Sequence, residues 1–505
     1  MRLYLINPVN PLALSEVRQG WFKRFRIWKP LGLLTVATLT PADWQITVFD
    51  ENQGIRDYAA MPRPDLVGIT AFTSQASRAY ELARQFRAMG VRVVMGGIHA
   101  SMRPQEAMKH VDCVVAGEAE GVWAQVLADA RRGDLKSLYE AEPVGLEAVP
   151  PARHDLLPRG YAFGAIQTTR GCPLNCSFCS VTVFNGARYR NRPISNVIEE
   201  MRSIREKYVL VVDDNLIGIS AAHIVRAKEL FRAMIQAKLH KRWIAQVTIN
   251  MGGDEELLSL AAKAGCIGVF IGFESPTVEG LAEVGKKYNI VKGRDMRTSV
   301  QRIQRHGILV AGSFIIGLDS DECGIGRRIA DAASGYGVDI LNALFLTPLP
   351  GTRVWDKMQT EGRISTNAFP QDWQYYTLTF PVADYKQLSR EQIVREMDCC
   401  DRRFYSPGRI GRRLWASFWR GRHPVVSLVS NLSYRRSLRA NLRAYHQFTL
   451  AQEQDRHRES QGLSPVHPGA GARSSSRGYA LTCMASRQRS PPARAAHRHC
   501  PASFS

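Results

Sequence analysis

The first 140 residues alternate short apolar runs with longer segments in which apolar residues recur every three or four positions. Runs of this length are typical of buried strands, and the longer period is typical of helices. The predicted strands are residues 2–6, 45–49, 65–70, 91–95 and 113–116, with helices at 31–39, 74–89 and 122–130. This alternation predicts a doubly wound α/β domain with a parallel sheet, whose ligand site lies at the carboxyl ends of the strands.

A second alternating series fills residues 164–384, after a linker at 141–163 that contains several prolines. Its six predicted strands are residues 165–168, 209–212, 244–249, 269–272, 308–316 and 340–347. Six successive βα units predict a partial (β/α)6 parallel barrel. Polar residues follow these strands, and on such barrels the functional site lies at the carboxyl ends of the strands.

The C-terminal part of the chain has a different composition. Residues 385–459 have a helical pattern, whereas residues 460–505 have little periodicity and are expected to be a disordered tail. The 505 residues carry a formal net charge of +21, and residues 401–505 supply +15 of it through 19 arginines against four acids. The rest of the chain is only weakly basic, so the charge does not indicate a nucleic-acid-binding protein.

The overall composition indicates a globular protein, with 45% hydrophobic and 22% charged residues. No apolar run reaches 18 residues, which argues against a transmembrane helix. The N-terminal segment has neither the basic region nor the long apolar core of a signal peptide. We therefore expect a cytoplasmic protein whose ten cysteines are kept reduced.

Three of these cysteines lie on one short loop after the first predicted barrel strand. Cys172, Cys176 and Cys179 have the spacing C-x3-C-x2-C. Three thiolates can hold three irons of a four-iron, four-sulfur (4Fe–4S) cluster, and they leave the fourth iron open to another ligand. A structural zinc site would need four ligands, and no further Cys or His falls at a natural spacing within the loop. The spacing therefore favours the cluster.

This loop resembles that of the radical S-adenosylmethionine (radical SAM) superfamily, including the aromatic Phe178 immediately before the third cysteine. The resemblance implies that the open iron binds S-adenosylmethionine (SAM) and that SAM cleavage yields a 5′-deoxyadenosyl radical. It also implies SAM contacts at the ends of later strands. The implied residues are Asp213, Asp214 and Asn215, then Glu274 and Ser275, and then Gly317.

Each of these implied contacts has a structural alternative. Asp214 or Asn215 could cap a helix, because short polar side chains are preferred at that position. Gly317 could serve tight packing between a strand and a helix. For Glu274 the site role is favoured, because a carboxylate that closes an apolar strand is costly to bury without a partner.

The first domain is similar to the cobalamin-binding, Rossmann-like domain that is fused to one large class of radical SAM enzymes. The matching segments are residues 29–34, 68–70, 96–101 and 117–120, although the D-x-H-x-x-G motif is absent. The implied cobalamin contacts are Thr70, Thr73, Ser74, Gly96, Gly97, His99, Gly117 and Glu118. For His99 three roles stay open: an axial ligand of cobalt, a hydrogen bond to the corrinoid, or a structural contact.

Together the two resemblances imply a cobalamin-dependent radical SAM enzyme that methylates an unactivated carbon of a small molecule or lipid. The implied cofactors are a 4Fe–4S cluster, SAM and cobalamin, with a flavodoxin- or ferredoxin-type electron donor. A radical cyclase or oxidase acting on a tetrapyrrole or lipid is an alternative. A corrinoid-binding protein without catalytic activity is a second alternative, and the intact cysteine triad argues against it.

The arginine-rich segment also allows two interpretations. Residues 402–452 contain no acid and interleave arginines with Trp415, Phe418 and Trp419. Such a composition resembles a membrane-surface segment, which would place the protein at the inner face of a membrane. The same residues could instead form a helical cap that packs its aromatic side chains on the barrel.

Overall fold

Two six-stranded parallel sheets account for the two alternating series in the sequence. They belong to a computed structural model that describes residues 1–13, 28–286, 295–419 and 423–460. Residues 1–446 form one compact unit that contains both sheets. Of the second unit, residues 447–505, the described part ends at Ser460 and is helical.

The first sheet has the strand order β2-β1-β3-β4-β5-β6. Its strands are β1 (Arg2–Asn7), β2 (Gln45–Asp50), β3 (Leu66–Thr70), β4 (Arg92–Gly96), β5 (Cys113–Gly117) and β6 (Leu138–Ala141). The sequence pattern predicts the first five within two residues at each end. It misses β6, an edge strand of four residues with one buried side chain, because so short a strand carries no alternation to detect.

Helices cover this sheet and bury its apolar side chains. They are α1 (Leu31–Thr38), α2 (Ala76–Ala88), α3 (Ile98–Met102), α4 (Pro104–Ala107) and α5 (Trp123–Arg132). Leu5 and Leu34 pack with Trp123 in the core, and the Trp123 indole donates a hydrogen bond to Thr40 Oγ1 at 2.9 Å. Burial of each such apolar side chain stabilises the fold by about 1.5–3 kcal/mol.

The second sheet has the order β14-β13-β12-β11-β10-β7 and forms the partial barrel. Its strands are β7 (Phe163–Ile166), β10 (Tyr208–Val211), β11 (Arg242–Val247), β12 (Cys266–Glu274), β13 (Leu309–Ile316) and β14 (Ile340–Phe345). A two-stranded antiparallel ribbon, β8 (Thr169–Arg170) and β9 (Arg190–Asn191), flanks the cysteine loop. The doubly wound domain followed by a six-strand barrel confirms the predicted fold class.

Helices alternate with the barrel strands. They are α6 (Ser180–Asn185), α7 (Ile194–Ser203), α8 (Ala221–Gln236), α9 (Glu255–Lys263), α10 (Val278–Glu283), α11 (Met296–Arg305), α12 (Ile325–Tyr336) and α13 (Arg353–Thr360). The sequence pattern predicts helices over residues 195–207, 221–238, 255–264 and 297–306, which correspond to α7, α8, α9 and α11. It predicts none of α6, α10, α12 and α13, and α6 and α10 lie beside the cavity described below. Helices of six residues present less than two turns, too few for a clear period.

Three further helices follow the barrel: α14 (Arg390–Phe404), α15 (Pro407–Trp419) and α16 (Pro424–Ser460). One face of α15 and α16 packs on the barrel, where Ser417, Ser427 and Asn431 are fully buried. The opposite face exposes about two thirds of each side chain of Trp415, Phe418 and Trp419. The predicted helical cap is therefore present, but these aromatic side chains do not pack on the barrel.

The predicted domain boundaries lie close to the ends of the sheets. Strand β6 crosses the boundary at residue 140, and β7 begins one residue before 164. Throughout the described ranges, every helix is too short or too polar to cross a membrane. The predicted disordered tail falls outside the described residues.

Candidate active site

A cavity of roughly 210 Å³ opens at the carboxyl ends of the barrel strands. All three cysteines of the loop line it, and so do polar side chains from the ends of β10, β11, β12 and β13. The polar and cysteine side chains in its wall are Cys172, Asn175, Cys176, Cys179, Thr182, Asp214, Asn215, Gln246, Thr248, Glu274, Lys286, Ser313 and Thr347. The cavity therefore lies where the sequence predicts the functional site, at the carboxyl ends of the barrel strands. Phe178 also lies in its wall.

The backbone of the cysteine loop is fixed at several points. Gly171 has a φ of +88°, and a Cβ atom there would lie 2.1 Å from the carbonyl oxygen of Arg188, so only glycine fits. Asn175 adopts the left-handed region with a φ of +42°. Its carbonyl and side-chain oxygens accept hydrogen bonds from Arg353 at 2.6 and 2.8 Å. This turn directs Cys176 into the cavity.

The three thiols are partly or fully buried, and burial raises the pKa of Cys176 to about 11 and that of Cys179 to about 12. Cation binding would offset this cost, because metals coordinate the thiolate form. Over the parts of the chain that the structure describes, no three or more Cys, His, Asp or Glu side chains converge as they would around a single metal ion. A cubic cluster binds each thiolate to a different iron and therefore needs no such convergence.

Asp213 and Asn215 have opposite environments although they are two residues apart. Asp213 is fully buried beneath the loop, where its carboxylate accepts hydrogen bonds from the backbone and hydroxyl of Thr168 and from the Thr169 hydroxyl. Asn215 lines the cavity, and neither its amide nitrogen nor its oxygen has a hydrogen-bond partner in the described structure. Buried polar groups are rarely left unpaired, so Asn215 is suited to bind a polar ligand.

Asp214, between these two residues, lines the cavity and also holds the loop. Its Oδ2 accepts a hydrogen bond from the Gly171 amide at 2.8 Å and another from Asn185 Nδ2 at 3.0 Å. Burial raises the pKa of Asp214 above its ordinary value, while these bonds favour the ionised form. None of the three residues is a helix cap, because α8 begins at Ala221 and is capped by Ser220.

Glu274 projects into the cavity from an irregular strand end. The pairing of β12 with β13 shifts register between Gly272 and Glu274, and Glu274 has a φ of +66°. A non-glycine residue in this region carries backbone strain, which occurs most often at functional sites. Its Oε1 accepts a hydrogen bond from Lys286 Nζ at 2.6 Å, and a Cβ atom at Gly272 would collide with this pair.

Sequence reasoning missed Lys286, Gln246 and Thr248. Gln246 and Thr248 lie at the end of β11, so the strand-end rule could have found them. Lys286 lies after α10, and nothing in its local sequence marks it. Burial would lower the pKa of Lys286, but the negative charge of Glu274 and of the nearby thiolates raises it above its ordinary value.

Besides the buried Asp213, two other residues predicted to contact SAM, Ser275 and Gly317, lie outside the described cavity wall. Ser275 Oγ accepts a hydrogen bond from the Thr277 amide just before α10. Gly317 forms the turn after β13, where a Cβ atom would lie 2.6 Å from both Tyr385 and Ile393. The structure thus gives Gly317 the packing role that the sequence left open.

At the first sheet, the predicted glycines shape the strand ends. Gly97 has a φ of +87°, and a Cβ atom there would lie 2.5 Å from Thr70 Oγ1. Gly117 has a φ of +91°, and a Cβ atom would lie 2.1 Å from the Ala141 carbonyl oxygen. Gly96 has only ordinary contacts, the nearest at 3.7 Å. Its missing side chain therefore serves no internal packing.

The hydroxyl residues after β3 border an exposed aromatic side chain. Thr70 ends the strand, Thr73 and Ser74 begin a single helical turn, and Phe72 between them is 64% exposed. An exposed aromatic group and a bare glycine at neighbouring strand ends fit a large, flat apolar ligand. These features are compatible with a corrinoid.

His99 has no access to such a ligand. The ring is fully buried, its Nε2 shares a hydrogen bond with the Tyr80 hydroxyl at 2.9 Å, and Glu106 lies 3.7 Å away. Burial lowers the pKa of His99, so the neutral ring is favoured. His99 also packs edge-on against Trp373. Of the three roles left open by the sequence, the geometry favours the structural one.

Glu118 also has partners other than a corrinoid. Its buried carboxylate forms ion pairs with Arg190 and with Arg170, and it accepts a hydrogen bond from the Val144 amide at 3.0 Å. Burial would raise the pKa of Glu118, but the two arginines hold it below its ordinary value. This pairing could not be predicted from local sequence, because the arginines lie more than 50 residues away.

Comparison with known proteins matches each of the two sheets to a known domain family. Residues 23–127 match the B12-binding domain family, and residues 166–322 match the radical SAM superfamily. The chain is 30% identical over 398 residues to bacteriochlorophyllide d C-12(1)-methyltransferase from Chlorobaculum tepidum, an alignment that covers 76% of this chain and 84% of the relative. It therefore belongs to the family of cobalamin-dependent radical SAM enzymes.

The relatives make the class narrower. The hopanoid C-2 methylase of Rhodopseudomonas palustris is 26% identical, over 66% of this chain and 65% of its own length. The fold is also that of TsrM from Kitasatospora setae, a radical SAM methyltransferase solved with cobalamin and a 4Fe–4S cluster, with a TM-score of 0.57 at 20% identity over 71% of this chain and 75% of that chain. The protein is thus a radical SAM methyltransferase that uses a 4Fe–4S cluster, SAM and cobalamin, and its substrate is a small molecule.

Proposed function

We propose that this enzyme methylates an unactivated carbon of an apolar, ring-containing molecule that it meets at a membrane surface. The observation that carries this proposal is the exposed face of α15 and α16. Trp415, Phe418 and Trp419 are exposed on α15, and Val425 and Val429 are exposed on α16. Clusters of exposed apolar side chains on a protein of this kind mark interaction sites.

The positive charge of the same region favours an anionic lipid surface as the binding partner. No acid occurs between residues 402 and 452, and Arg412, Arg436 and Arg443 are exposed. Each arginine near an anionic membrane contributes about 1 kcal/mol of attraction. Tryptophan side chains favour the interface between lipid and water. Together these features support peripheral attachment at the inner, anionic face of a membrane.

The substrate class follows from the relatives and from this attachment. The relative from C. tepidum is named for bacteriochlorophyllide d and the one from R. palustris for hopanoids. Both names denote largely apolar polycyclic molecules. An enzyme bound to the membrane surface has access to such molecules where they are most concentrated. We therefore assign a tetrapyrrole or a polycyclic lipid as the substrate class.

The cavity residues have the donors and acceptors that this chemistry requires. We assign Cys172, Cys176 and Cys179 to the cluster, and Phe178, Asp214, Asn215, Glu274 and Lys286 to SAM. Asn215 and Lys286 offer N–H groups to a carboxylate, whereas Asp214 and Glu274 offer oxygens to an ammonium or a hydroxyl. When bound, the cluster supplies the electron that cleaves SAM, and cobalamin supplies the methyl group.

At the first sheet we assign the cobalamin face to Thr70, Thr73, Ser74, Gly96, Gly97 and Gly117, together with Phe72. The electron itself must come from a one-electron carrier of the flavodoxin or ferredoxin type. Asn175 is exposed and directly precedes Cys176, so the cluster loop reaches the protein surface at that point. A carrier docked there would be close to the cluster.

The proposal is tested with the full chain under anaerobic conditions. Reconstituted enzyme is incubated with reductant, cobalamin and SAM carrying a deuterated methyl group, together with separate tetrapyrrole and polycyclic lipid extracts. We expect one labelled methyl group to be added to a component of one extract, detected by mass spectrometry. A product that lacks the label and has lost hydrogen would instead indicate cyclisation or oxidation.

Membrane attachment is tested by co-sedimentation with anionic and with neutral vesicles. We expect the wild type to sediment with anionic vesicles at low salt and to be released at high salt. The double variant Trp415→Ser and Trp419→Ser should sediment less, with unchanged thermal stability because both side chains are exposed. Trp28→Ser removes an equally exposed tryptophan elsewhere and is the matched control. Absence of wild-type binding at low salt would overturn the membrane argument.

A further inference from the structure

A buried group of four charged side chains joins the first sheet to the cysteine loop. Glu118 and Glu120 follow β5, whereas Arg170 and Arg190 belong to the ribbon β8–β9 that flanks the loop. Arg190 forms two hydrogen bonds with the Glu118 carboxylate, one of them at 2.9 Å. Arg170 Nη1 lies 3.1 Å from Glu118, and its Nη2 pairs with Glu120. We call these four residues the ion-pair bridge.

On the barrel side, the bridge continues into the wall of the cavity. Arg190 Nη2 donates to the carbonyl oxygen of Asn185 at 3.0 Å, and the Asn185 side chain donates to Asp214 at 3.0 Å. Asp214 in turn accepts the amide of Gly171, the residue before Cys172. Every link in this path is a hydrogen bond between neighbouring groups.

On the other side, the bridge starts at the strand ends of the first sheet. Glu118 directly follows Gly117, whose amide donates to Ser101 Oγ at 2.9 Å. The Ser101 hydroxyl donates to the Gly97 carbonyl oxygen at 3.0 Å. Gly97 and Gly117 both lie at the face assigned to cobalamin. One chain of hydrogen bonds therefore runs from that face to the cysteine loop.

Burial gives this path its rigidity. The side chains of Glu118, Arg170 and Arg190 are 3%, 12% and 11% exposed. Two carboxylates balance two guanidiniums, and a buried pair is strongly disrupted when one partner is lost. Glu118 is the central residue, because it alone contacts both arginines and the Val144 amide.

We propose that Glu118 is a positioning residue that acts through Arg190 and Asn185 to hold Asp214 and the cysteine loop in the arrangement that binds SAM. The inference rests on the proposed assignment of Cys172, Cys176 and Cys179 to the cluster. It predicts that a change more than 50 residues from the cysteines alters SAM binding while the cluster itself still assembles.

The test uses the full chain with Glu118→Gln and, as a matched control, Glu120→Gln. Each removes one bridge carboxylate, but within the described ranges Glu120 pairs with Arg170 alone and has no hydrogen bond to Arg190 or Asn185. The readouts are iron content, thermal stability, and SAM titration followed by the electron paramagnetic resonance spectrum of the reduced cluster. We expect about tenfold weaker SAM binding in E118Q and little change in E120Q.

Two outcomes would show that the bridge only joins the domains. The first is an equal effect of the two variants on SAM binding. The second is an E118Q variant with a lowered melting temperature but an unchanged SAM titration and spectrum. If E118Q does not fold, Arg190→Gln and the double variant E118Q/R190Q decide, because the double variant removes one charge of each sign. We expect the double variant to bind SAM no more weakly than R190Q, since both residues act on one path. A double variant that binds SAM more weakly than R190Q would overturn the proposal.

Failure of the underlying assignment is recognisable separately. If the wild-type chain does not take up about four irons, the cluster assignment is wrong and the bridge has no cluster to position. If the wild type assembles the cluster and responds to SAM, only the comparison of E118Q with E120Q bears on Glu118.

Discussion

The two parallel sheets carry different groups at their carboxyl ends, although the proposed sites of both sheets lie there. Around the barrel cavity, the Asn215 side chain has no hydrogen-bond partner among the described residues, and Glu274 is held in a strained backbone conformation. At the first sheet, the Nε2 atom of His99 and the carboxylate of Glu118 are already paired with other protein groups. What that sheet leaves open is the bare Gly96 and the exposed ring of Phe72.

This contrast matches two kinds of recognition. An unpaired buried polar group costs about 1–3 kcal/mol, and a ligand that pairs with it recovers this cost. A face made of glycine, hydroxyl and aromatic groups carries no such cost and binds through shape and apolar contact. With the site residues proposed above, we expect the barrel to recognise its ligand with side chains and the first sheet to recognise its ligand mainly with backbone and surface shape.

We expect the largest effect from substitutions at the barrel cavity, where side chains are proposed to hold the ligands. Cys172→Ala, Cys176→Ala and Cys179→Ala should each reduce 5′-deoxyadenosine formation to background, because three thiolates are the minimum that leaves one iron open. The nucleoside is measured by chromatography after anaerobic reduction. Cys399→Ser, in an exposed position on α14, is the control and should keep full activity. Activity retained in any of the three variants would refute the cluster assignment.

Asp213 follows a barrel strand but lies outside the cavity wall, and its carboxylate is fully buried and paired with Thr168 and Thr169. Burial raises its pKa to about 6, from 3.8 in the unfolded chain. The ionised form is penalised in the fold, so its contribution to stability is present below about pH 4 and is lost as the pH rises to about 6. At about 1.4 kcal/mol per pKa unit, the total is about 3 kcal/mol.

Asp213→Asn removes this titration and keeps an oxygen acceptor for Thr168. We expect the free energy of unfolding of the wild type to fall by about 3 kcal/mol relative to that of the variant between pH 4 and pH 7. Urea unfolding of the cofactor-free chain at several pH values measures the difference. Parallel pH profiles would mean that Asp213 titrates normally.

Asn215, at the barrel, and Asn7, in the first sheet, allow the same substitution to be compared in the two sheets. Asn215→Ala should weaken SAM binding by about tenfold to a hundredfold, as expected for lost hydrogen bonds to a charged ligand, without lowering stability. Asn7 follows the opposite pattern, because its buried amide donates to Asp50 at 2.9 Å. Asn7→Ala should lower stability by about 1 kcal/mol and leave SAM binding unchanged. SAM titration and urea unfolding are measured for both variants. A loss of stability in Asn215→Ala, or weaker SAM binding in Asn7→Ala, would contradict the prediction.

The smallest expected effect separates folding from ligand binding at the first sheet. Gly97→Ala should destabilise the apo protein by about 1–2 kcal/mol, because of its positive φ and the contact with Thr70. Gly96→Ala should fold normally, since its Cβ atom meets nothing closer than 3.7 Å. Weaker hydroxocobalamin binding by Gly96→Ala, seen in a visible titration, would therefore report on the ligand face itself. If its affinity is unchanged, Gly96 does not contact the corrinoid.

The site residues predicted from the sequence fall into two groups: those that line the cavity and those that are paired with other protein groups. The cysteine triad, Phe178, Asp214 and Glu274 were all predicted and all line the cavity. They could be predicted because each lies in a short motif or directly after an apolar strand, so local sequence places them at the carboxyl edge. His99 and Glu118 follow strands in the same way, yet their side chains turn to partners within the protein.

The sequence by itself determined the order of strands and helices and the position of the three cysteines on one loop. Hydrophobic periodicity and close spacing are local properties, so they need no knowledge of distant contacts. Only the tertiary structure decided which strand-end groups stay open. Glu118 meets Arg190 and Glu274 meets Lys286, whereas Asn215 meets no protein partner in the described structure. Such pairings depend on how separate βα units pack together, and whether a buried polar group is satisfied is decided at that step.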